Sequence, residues 1–285
     1  MITGAGRGIG REYALMLAHE GAKVVVNDFG GSRDGTGADA APAQQVVDEI
    51  TAFGGEAVAH VGDVSSLADS TAMIQLAIDT FGGLDVVVNN AGILRDRMLF
   101  SMTEEEWDAV IKVHLKGTWA PSRVASQYWR ERAKKGESNN ARLINTTSVS
   151  GIYGNPGQTN YGAAKGGIAS FTLIAAEELG RYGVTANAIA PGALTRLTED
   201  LGLPDEMKDR FGFEWVAPVV TWLASEQSSD VTGQVIESSG QILGIAEGWH
   251  RGPHTTEPPL DPREIDGLIR GFLAQARPRT KMGEI

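Results

Sequence analysis

Residues 1–10 read MITGAGRGIG, with glycine at every second position from Gly4 to Gly10. Glycine at this density permits tight turns and lets backbone N–H groups approach a phosphate at a helix N-terminus. The general fingerprint G-x-G-x-x-G is not met. From Gly4 it requires glycine where Ile9 stands, and from Gly6 where Arg11 stands. The pattern that fits is T-G-x-x-x-G-x-G, through Thr3, Gly4, Gly8 and Gly10. Such a loop follows a strand, yet only Met1 and Ile2 precede Thr3. Removing a buried strand would orphan the backbone groups of its neighbours. Two causes are open for so short a strand: the true start lies upstream of Met1, or the fold tolerates a stub, and the first is the expectation.

Working outward, five short apolar runs read as strands: KVVVNDF (Lys23–Phe29), LDVVVNNAG (Leu84–Gly92), ARLINTTS (Ala141–Ser148), VTANAIAPG (Val184–Gly192) and GQVIES (Gly233–Ser238). Nearly continuous apolar strands point to a parallel sheet covered on both faces. Helical segments separate them at Arg11–His19, Ala43–Phe53, Leu67–Phe81, Thr103–Ala133, Tyr161–Tyr182 and Ala217–Ser225. This alternation predicts an α/β fold, a Rossmann-like doubly wound parallel sheet with helices on both faces, as a single domain over residues 1–248. Residues 249–285 form a C-terminal extension. There Asp261 caps a terminal helix, Pro262 takes its first position, and Ile265, Leu268, Ile269, Phe272 and Leu273 make one apolar stripe.

The chain has 285 residues and a net charge of −11, which argues against a nucleic-acid partner. It has no cysteine, which excludes disulfides, Cys-based zinc sites and thiol catalysis. No metal site is expected. No apolar run is long enough to span a membrane and no signal peptide is visible, so the expected location is the cytoplasm.

The glycine loop gains meaning from Asp28, at the end of the second predicted strand. A carboxylate there accepts hydrogen bonds from both ribose hydroxyls of an adenosine and repels a 2′-phosphate, which favours NAD over NADP. The bland reading is a surface Asp in the turn at Gly30-Gly31, and Arg7 keeps a 2′-phosphate contact open. The stretch SVSGIYGNPGQTNYGAAK carries Ser148, Tyr161 and Lys165. Tyr161 and Lys165 are four apart and share a helix face. An ammonium near a phenol favours the phenolate and makes a general acid–base usable near neutral pH. Ser148, at a strand end, is placed to hydrogen-bond the reacting oxygen.

With these residues on the page, the sequence resembles the short-chain dehydrogenase/reductase family over about residues 1–245. The matching motifs are TGAGRGIG, Asp63-Val64, NNAG at Asn89–Gly92, Ser148 with Tyr161-x-x-x-Lys165, and Pro191-Gly192. The resemblance implies that Gly4, Arg7, Gly8, Ile9 and Asp28 meet the cofactor, and that Asp63 and Val64 meet its adenine. It places Asn90, Ala91 and Gly92 along the cofactor. It places Pro191, Gly192, Leu194 and Thr195 near the nicotinamide, and gives Lys165 a bond to the nicotinamide ribose, next to Tyr161.

One motif departs from the family. His114 stands in VHLKG where most members have Asn. In the family that residue's backbone carbonyl holds a water linking the lysine to solvent. A buried imidazole there can titrate near neutrality and alter the pH profile, and the bland reading beside it is a plain core histidine. The helix opens with a capping box, Thr103 and Glu106, turns Trp107, Val110, Ile111 and His114 inward, and should bend near Pro121. GILRDRM (Gly92–Met98), VHLKG and SGIYGNPGQTNY resemble the (3R)-hydroxyacyl-CoA dehydrogenase domain of peroxisomal multifunctional enzymes, also described as a 17β-hydroxysteroid dehydrogenase. That implies an acyl-CoA or steroid-like substrate. Arg95, Arg97 and Arg196 are then candidates for a CoA phosphate, and the segment up to about Phe213 for a substrate lid. Two alternatives stand: an NADP-dependent 3-oxoacyl carrier reductase, and an NAD-binding scaffold subunit without turnover. Ala163, Ala164, Gly166 and Gly167 on the Tyr161 helix allow close packing, so a homodimer or homotetramer is expected.

Overall fold

Each of the central strands presents its side chains alternately to two layers. In the computed structural model, which describes residues 1–32, 34–37, 39–193 and 212–281, eight strands form one sheet in the order β3-β2-β1-β4-β5-β6-β7-β8. They are β1 (Ile2–Thr3), β2 (Val24–Asn27), β3 (Ala57–His60), β4 (Val86–Asn89), β5 (Ala141–Thr146), β6 (Val184–Pro191), β7 (Val235–Ser238) and β8 (Leu243–Ile245). Strands β1 to β7 run parallel, and β8 turns back antiparallel on β7.

Val24 and Val26 of β2 enter one apolar layer with Ile2, Val88, Ile144, Ile189 and Ile236. That layer is covered by α1 (Gly8–His19), α2 (Ala41–Ala52) and α8 (Ala217–Ala224). Val25 faces the other way and joins Met1, Val87, Leu143 and Ala186 beneath α3 (Leu67–Phe81), α5 (Gly117–Lys134) and α7 (Thr159–Leu179). Trp129 of α5 is wholly buried there, its indole N–H donating to the Leu84 carbonyl at 2.7 Å.

Two strands and a helix add to the sequence expectation. β3 reads AVAH without a β-branched run, β8 has three residues, and α6 (Val149–Tyr153) has five. The helix expected over Thr103–Ala133 divides. α4 (Glu104–Ile111), with its capping box formed, passes into a π-helical turn at Lys112–Lys116 before α5. The irregularity thus falls ahead of Pro121, which sits inside α5.

β1 is the stub that the sequence implied. Ile2 pairs with Val26 on one side and Val88 on the other, and Thr3 pairs with Asn27. The Met1 nitrogen donates to the Val86 carbonyl at 2.9 Å, continuing the ladder between β1 and β4.

The chain divides into two units, Met1–Ala246 and Glu247–Ile285. The second contains α9 (Pro262–Gln275), capped by Asp261 as expected, with Ile265, Ile269 and Leu273 of its stripe exposed. Among the described residues no helix is long and apolar enough to cross a membrane.

Candidate active site

Strand order reverses between β1 and β4, so the loops after them diverge and leave a crevice at the carboxyl end of the sheet. Gly4 leaves β1 at φ 61°, and a Cβ there would stand 2.7 Å from the Ala91 Cα in the loop after β4. A Cβ on Gly10 would stand 2.2 Å from the Gly4 carbonyl oxygen. Both positions therefore demand glycine. The two loops are tied together: the Thr3 hydroxyl accepts from the Asn90 and Ala91 N–H groups at 2.9 and 3.1 Å. The Asn90 side-chain amide donates to the Thr3 and Gly4 carbonyls, each at 3.1 Å.

Helix α1 begins at Gly8 with Arg7 as N-cap, no side-chain cap and no acidic residue in its first turn. Open N–H groups at a helix N-terminus attract an anion. The crowded glycine cradle and the uncapped helix together fit the pyrophosphate of a dinucleotide, with Ile9 in that first turn. Asp28 lies just beyond β2, its two oxygens accepting from Gly6 N at 2.8 Å and Gly30 N at 2.7 Å. Asp63 accepts from the Ser65 N–H and hydroxyl and pairs with Lys112 at 3.1 Å. Burial opposes its charge, but the Ser65 and Lys112 contacts prevail and hold its carboxyl below the ordinary value. Val64 is buried against Gly117, where a Cβ would meet its side chain at 2.6 Å. Pro191 ends β6, and Gly192 N donates to the Ser238 carbonyl at 2.8 Å. Leu194, Thr195, Arg196 and most of the expected lid lie outside the described residues.

On the other wall, Ser148 is the N-cap of α6, its hydroxyl accepting from Ser150 N at 3.1 Å. Tyr161 and Lys165 share a face of α7. Lys165 is 3% exposed, its ammonium donating to the Thr146 carbonyl at 2.6 Å and lying 5.5 Å from the centre of the Tyr161 ring. The electrostatics correct the sequence expectation. Burial pushes the Tyr161 phenol up to about 12, with Ser148 pulling it down and Asp96 adding to the rise. Burial also lowers Lys165 to about 7. The expected depression of the phenol is thus outweighed by desolvation in the free protein.

His114 occupies the π-helical turn and is 2% exposed. Its Nε2 lies 2.7 Å from the Ile93 carbonyl oxygen and 3.1 Å from the Ile93 nitrogen, so that backbone unit offers a partner to either tautomer. The ring meets Tyr161 edge-on, centroids 5.1 Å apart at 90°. It also fills the space beside Gly92, where a Cβ would stand 2.4 Å from Cε1. Burial first, then the charge of Lys165, lowers its pKa to about 3, while the Ile93 contact resists. Of the two readings the sequence left open, the depth of the site favours the core histidine over one titrating near neutrality. Trp107, expected inward with it, is 38% exposed at the rim.

Thr3, the Thr146 carbonyl and the buried chain from Asn89 through Asn145 to Thr172 also shape the site. Sequence reasoning placed Thr3 and Asn89 within motifs but did not single out Asn145, Thr146 or Thr172. The signal available was the polar NNA and NTT following apolar strands. Arg97 is paired with Glu106 at 2.9 Å, and Arg95 holds the Asp34 carbonyl at 3.0 Å. The small residues of α7 are spent inside the chain: a Cβ on Gly166 would stand 3.1 Å from the Gly151 carbonyl oxygen, and one on Gly167 3.2 Å from Leu115.

A family profile described as "short chain dehydrogenase" matches residues 1–202. Hydroxyacyl-CoA dehydrogenase ChsB1 of Mycobacterium tuberculosis is 44% identical over 291 aligned residues, spanning 98% of this chain and 89% of that protein. Peroxisomal multifunctional enzyme type 2 of Drosophila melanogaster is 46% identical over 98% of this chain, which spans 41% of that longer protein. A crystal structure of a short chain dehydrogenase from Mycobacterium avium is 51% identical with a TM-score of 0.88, covering 98% of this chain and 96% of that one.

Proposed function

From the premise that this chain belongs to the short-chain dehydrogenase family, oxidoreductases acting on CH–OH groups, we infer that it interconverts the 3-hydroxyl and 3-keto forms of an acyl-CoA thioester with NAD. The observation that carries this reading is the convergence of Ser148, Tyr161 and Lys165 opposite the glycine cradle and Asp28. The name of the ChsB1 relative supports the thioester, and the carboxylate of Asp28 supports NAD over NADP.

Gly4, Arg7, Gly8 and Ile9 would hold the pyrophosphate, Asp28 the adenosine ribose, and Asp63 and Val64 the adenine. Asn90, Ala91, Gly92, Pro191 and Gly192 would line the nicotinamide end. When bound, the nicotinamide supplies the hydride acceptor. Ser148 holds the substrate oxygen by a hydrogen bond, and the Tyr161 oxygen takes its proton as the alcohol is oxidised. A charged Lys165, its ammonium 5.5 Å from the centre of the Tyr161 ring, favours the phenolate. His114 stays neutral and holds the loop at Ile93 rather than moving a proton. The exposed Leu173 and Ile174 of α7 support a homodimer or homotetramer, which light scattering tests.

The deciding assay follows absorbance at 340 nm with NAD or NADP and a panel of 3-hydroxyacyl-CoA thioesters and hydroxysteroids. NADH should form with a thioester, and Tyr161→Phe should lower kcat by about 10²–10⁴-fold. Turnover preserved in Tyr161→Phe would overturn the mechanism, and NADP preference would favour a carrier-protein reductase such as the Staphylococcus aureus relative named 3-oxoacyl-[acyl-carrier-protein] reductase FabG.

A further inference from the structure

Helix α6 is too short to hold its own shape. Its five residues fall well below the ~12–15 at which isolated helices become even marginal. Its position, and with it the direction of the Ser148 hydroxyl at its N-cap, must come from tertiary contacts. At mid-helix Gly151 lies directly on the backbone of α7, where a Cβ would stand 2.5 Å from Gly166 N and 2.7 Å from the carbonyl carbon of Lys165. Ile152 packs on the cluster of Ala188, Val235 and Ala246. The last residue, Tyr153, donates its hydroxyl to Glu237 of β7 in a short hydrogen bond.

Glu237 is 4% exposed, and among the described residues its second oxygen has no hydrogen-bond partner. Burying a carboxylate with half its acceptor capacity unused is unfavourable, and an apolar side chain of similar volume is often neutral or stabilising in such a place. Packing alone therefore does not explain the residue. Its neighbourhood does. Glu237 is in register with Ala190 on β6, and the following pair, Pro191 and Ser238, ends both strands at the crevice. The burial of Tyr153, then its bond to Glu237, pushes its phenol up to about 12, so it stays a donor.

We propose that Glu237 and Tyr153 form a latch that fixes α6 to β7 and thereby positions Ser148 for catalysis. The proposal rests on the reading of Ser148 as the residue that holds the substrate oxygen. Neither latch residue touches the reacting atoms. Both are positioning residues.

The test compares Tyr153→Phe, Glu237→Ala and Glu237→Gln in the full chain. Tyr153→Phe and Glu237→Ala should lower kcat by about 10- to 100-fold, the range expected when a reacting group is misplaced by about an ångström. KM for NAD and the melting temperature should hold. Glu237→Gln keeps an acceptor for the Tyr153 hydroxyl and should restore most of kcat. A readout free of turnover is the Tyr161 resonance in protein labelled at tyrosine 13Cζ, assigned by its absence in Tyr161→Phe. The chain has five tyrosines, so this signal is resolvable, and it should move in both latch variants because Ser148 acts on Tyr161. Unchanged kcat with an unmoved resonance would overturn the latch, as would a loss of kcat that merely follows a loss of folded protein. A resonance that moves in a protein oxidising no alcohol in the panel would retain the latch and refute the proposed activity instead.

Discussion

Replacing Asp28 by Ala should convert cofactor preference. In the free protein the carboxylate accepts from Gly6 N at 2.8 Å and Gly30 N at 2.7 Å, which holds it at the end of β2 with lone pairs to spare. Two contributions are lost with it. A ribose hydroxyl donating to a carboxylate contributes roughly 1.5–3 kcal/mol. Repulsion from a 2′-phosphate is about 1 kcal/mol per unit-charge pair at 4 Å in water, doubled for a charge near −2 and larger at a protein surface. Together these give about 4 kcal/mol, or about a thousandfold in the ratio of kcat/KM for NAD to that for NADP. Loosening of the Gly6 and Gly30 turns would reduce both rates alike, and the ratio cancels it. Initial rates at 340 nm with each cofactor measure the ratio. A change smaller than about tenfold would refute the reasoning, because even the lower bound on the two contributions exceeds 1.4 kcal/mol.

Gly92→Ala should destabilise the fold by roughly 1–3 kcal/mol in urea titration, since its Cβ would stand 2.4 Å from the buried His114 ring. The same change in a His114→Ala background should cost clearly less. His114, with a folded pKa near 3, also governs the acid limb of stability. The unfolded chain binds a proton near the ordinary value of 6.5 that the fold refuses, so stability falls as pH drops from about 6.5 towards 3, by up to roughly 4–5 kcal/mol. Urea midpoints at pH 7.5, 5.5 and 4.5 should therefore converge between wild type and His114→Leu as pH falls, and parallel lines would contradict this. Trp129→Phe leaves the Leu84 carbonyl without its donor in the core and should lower stability by roughly 1–3 kcal/mol, read from the same titration.

Features set by local chemistry were legible in the sequence. Leu67–Phe81 was bounded correctly because Ser66 caps it and Gly82 ends it at φ 84°. The capping box at Thr103 and Glu106 formed as written. What escaped was tertiary. The helix through His114 carries an apolar pattern that continues across Lys112–Lys116, and nothing in that pattern marks a π-helical turn. β3 has neither alternation nor β-branched residues beyond Val58, and it exists because β2 offers it an edge. The set Ser148, Tyr161 and Lys165, proposed here as catalytic, was visible as spacing, but its proton affinities were not. They follow from how deeply α6 and α7 bury Tyr161 and Lys165, which spacing does not encode.

The tie between the loops after β1 and β4 has a mechanical consequence. In the hydrogen-bonded sheet, β2 and β3 form one flank and β4 to β8 the other, and Ile2 and Thr3 are the weld between them. Above it the flanks are cross-stitched by Thr3, Gly4, Asn90 and Ala91, the residues that frame the crevice. A dinucleotide laid across those loops would rivet the flanks together, and its binding energy would add directly to the cost of parting them. Any loosening of that cross-stitching and the release of a bound dinucleotide would then be coupled.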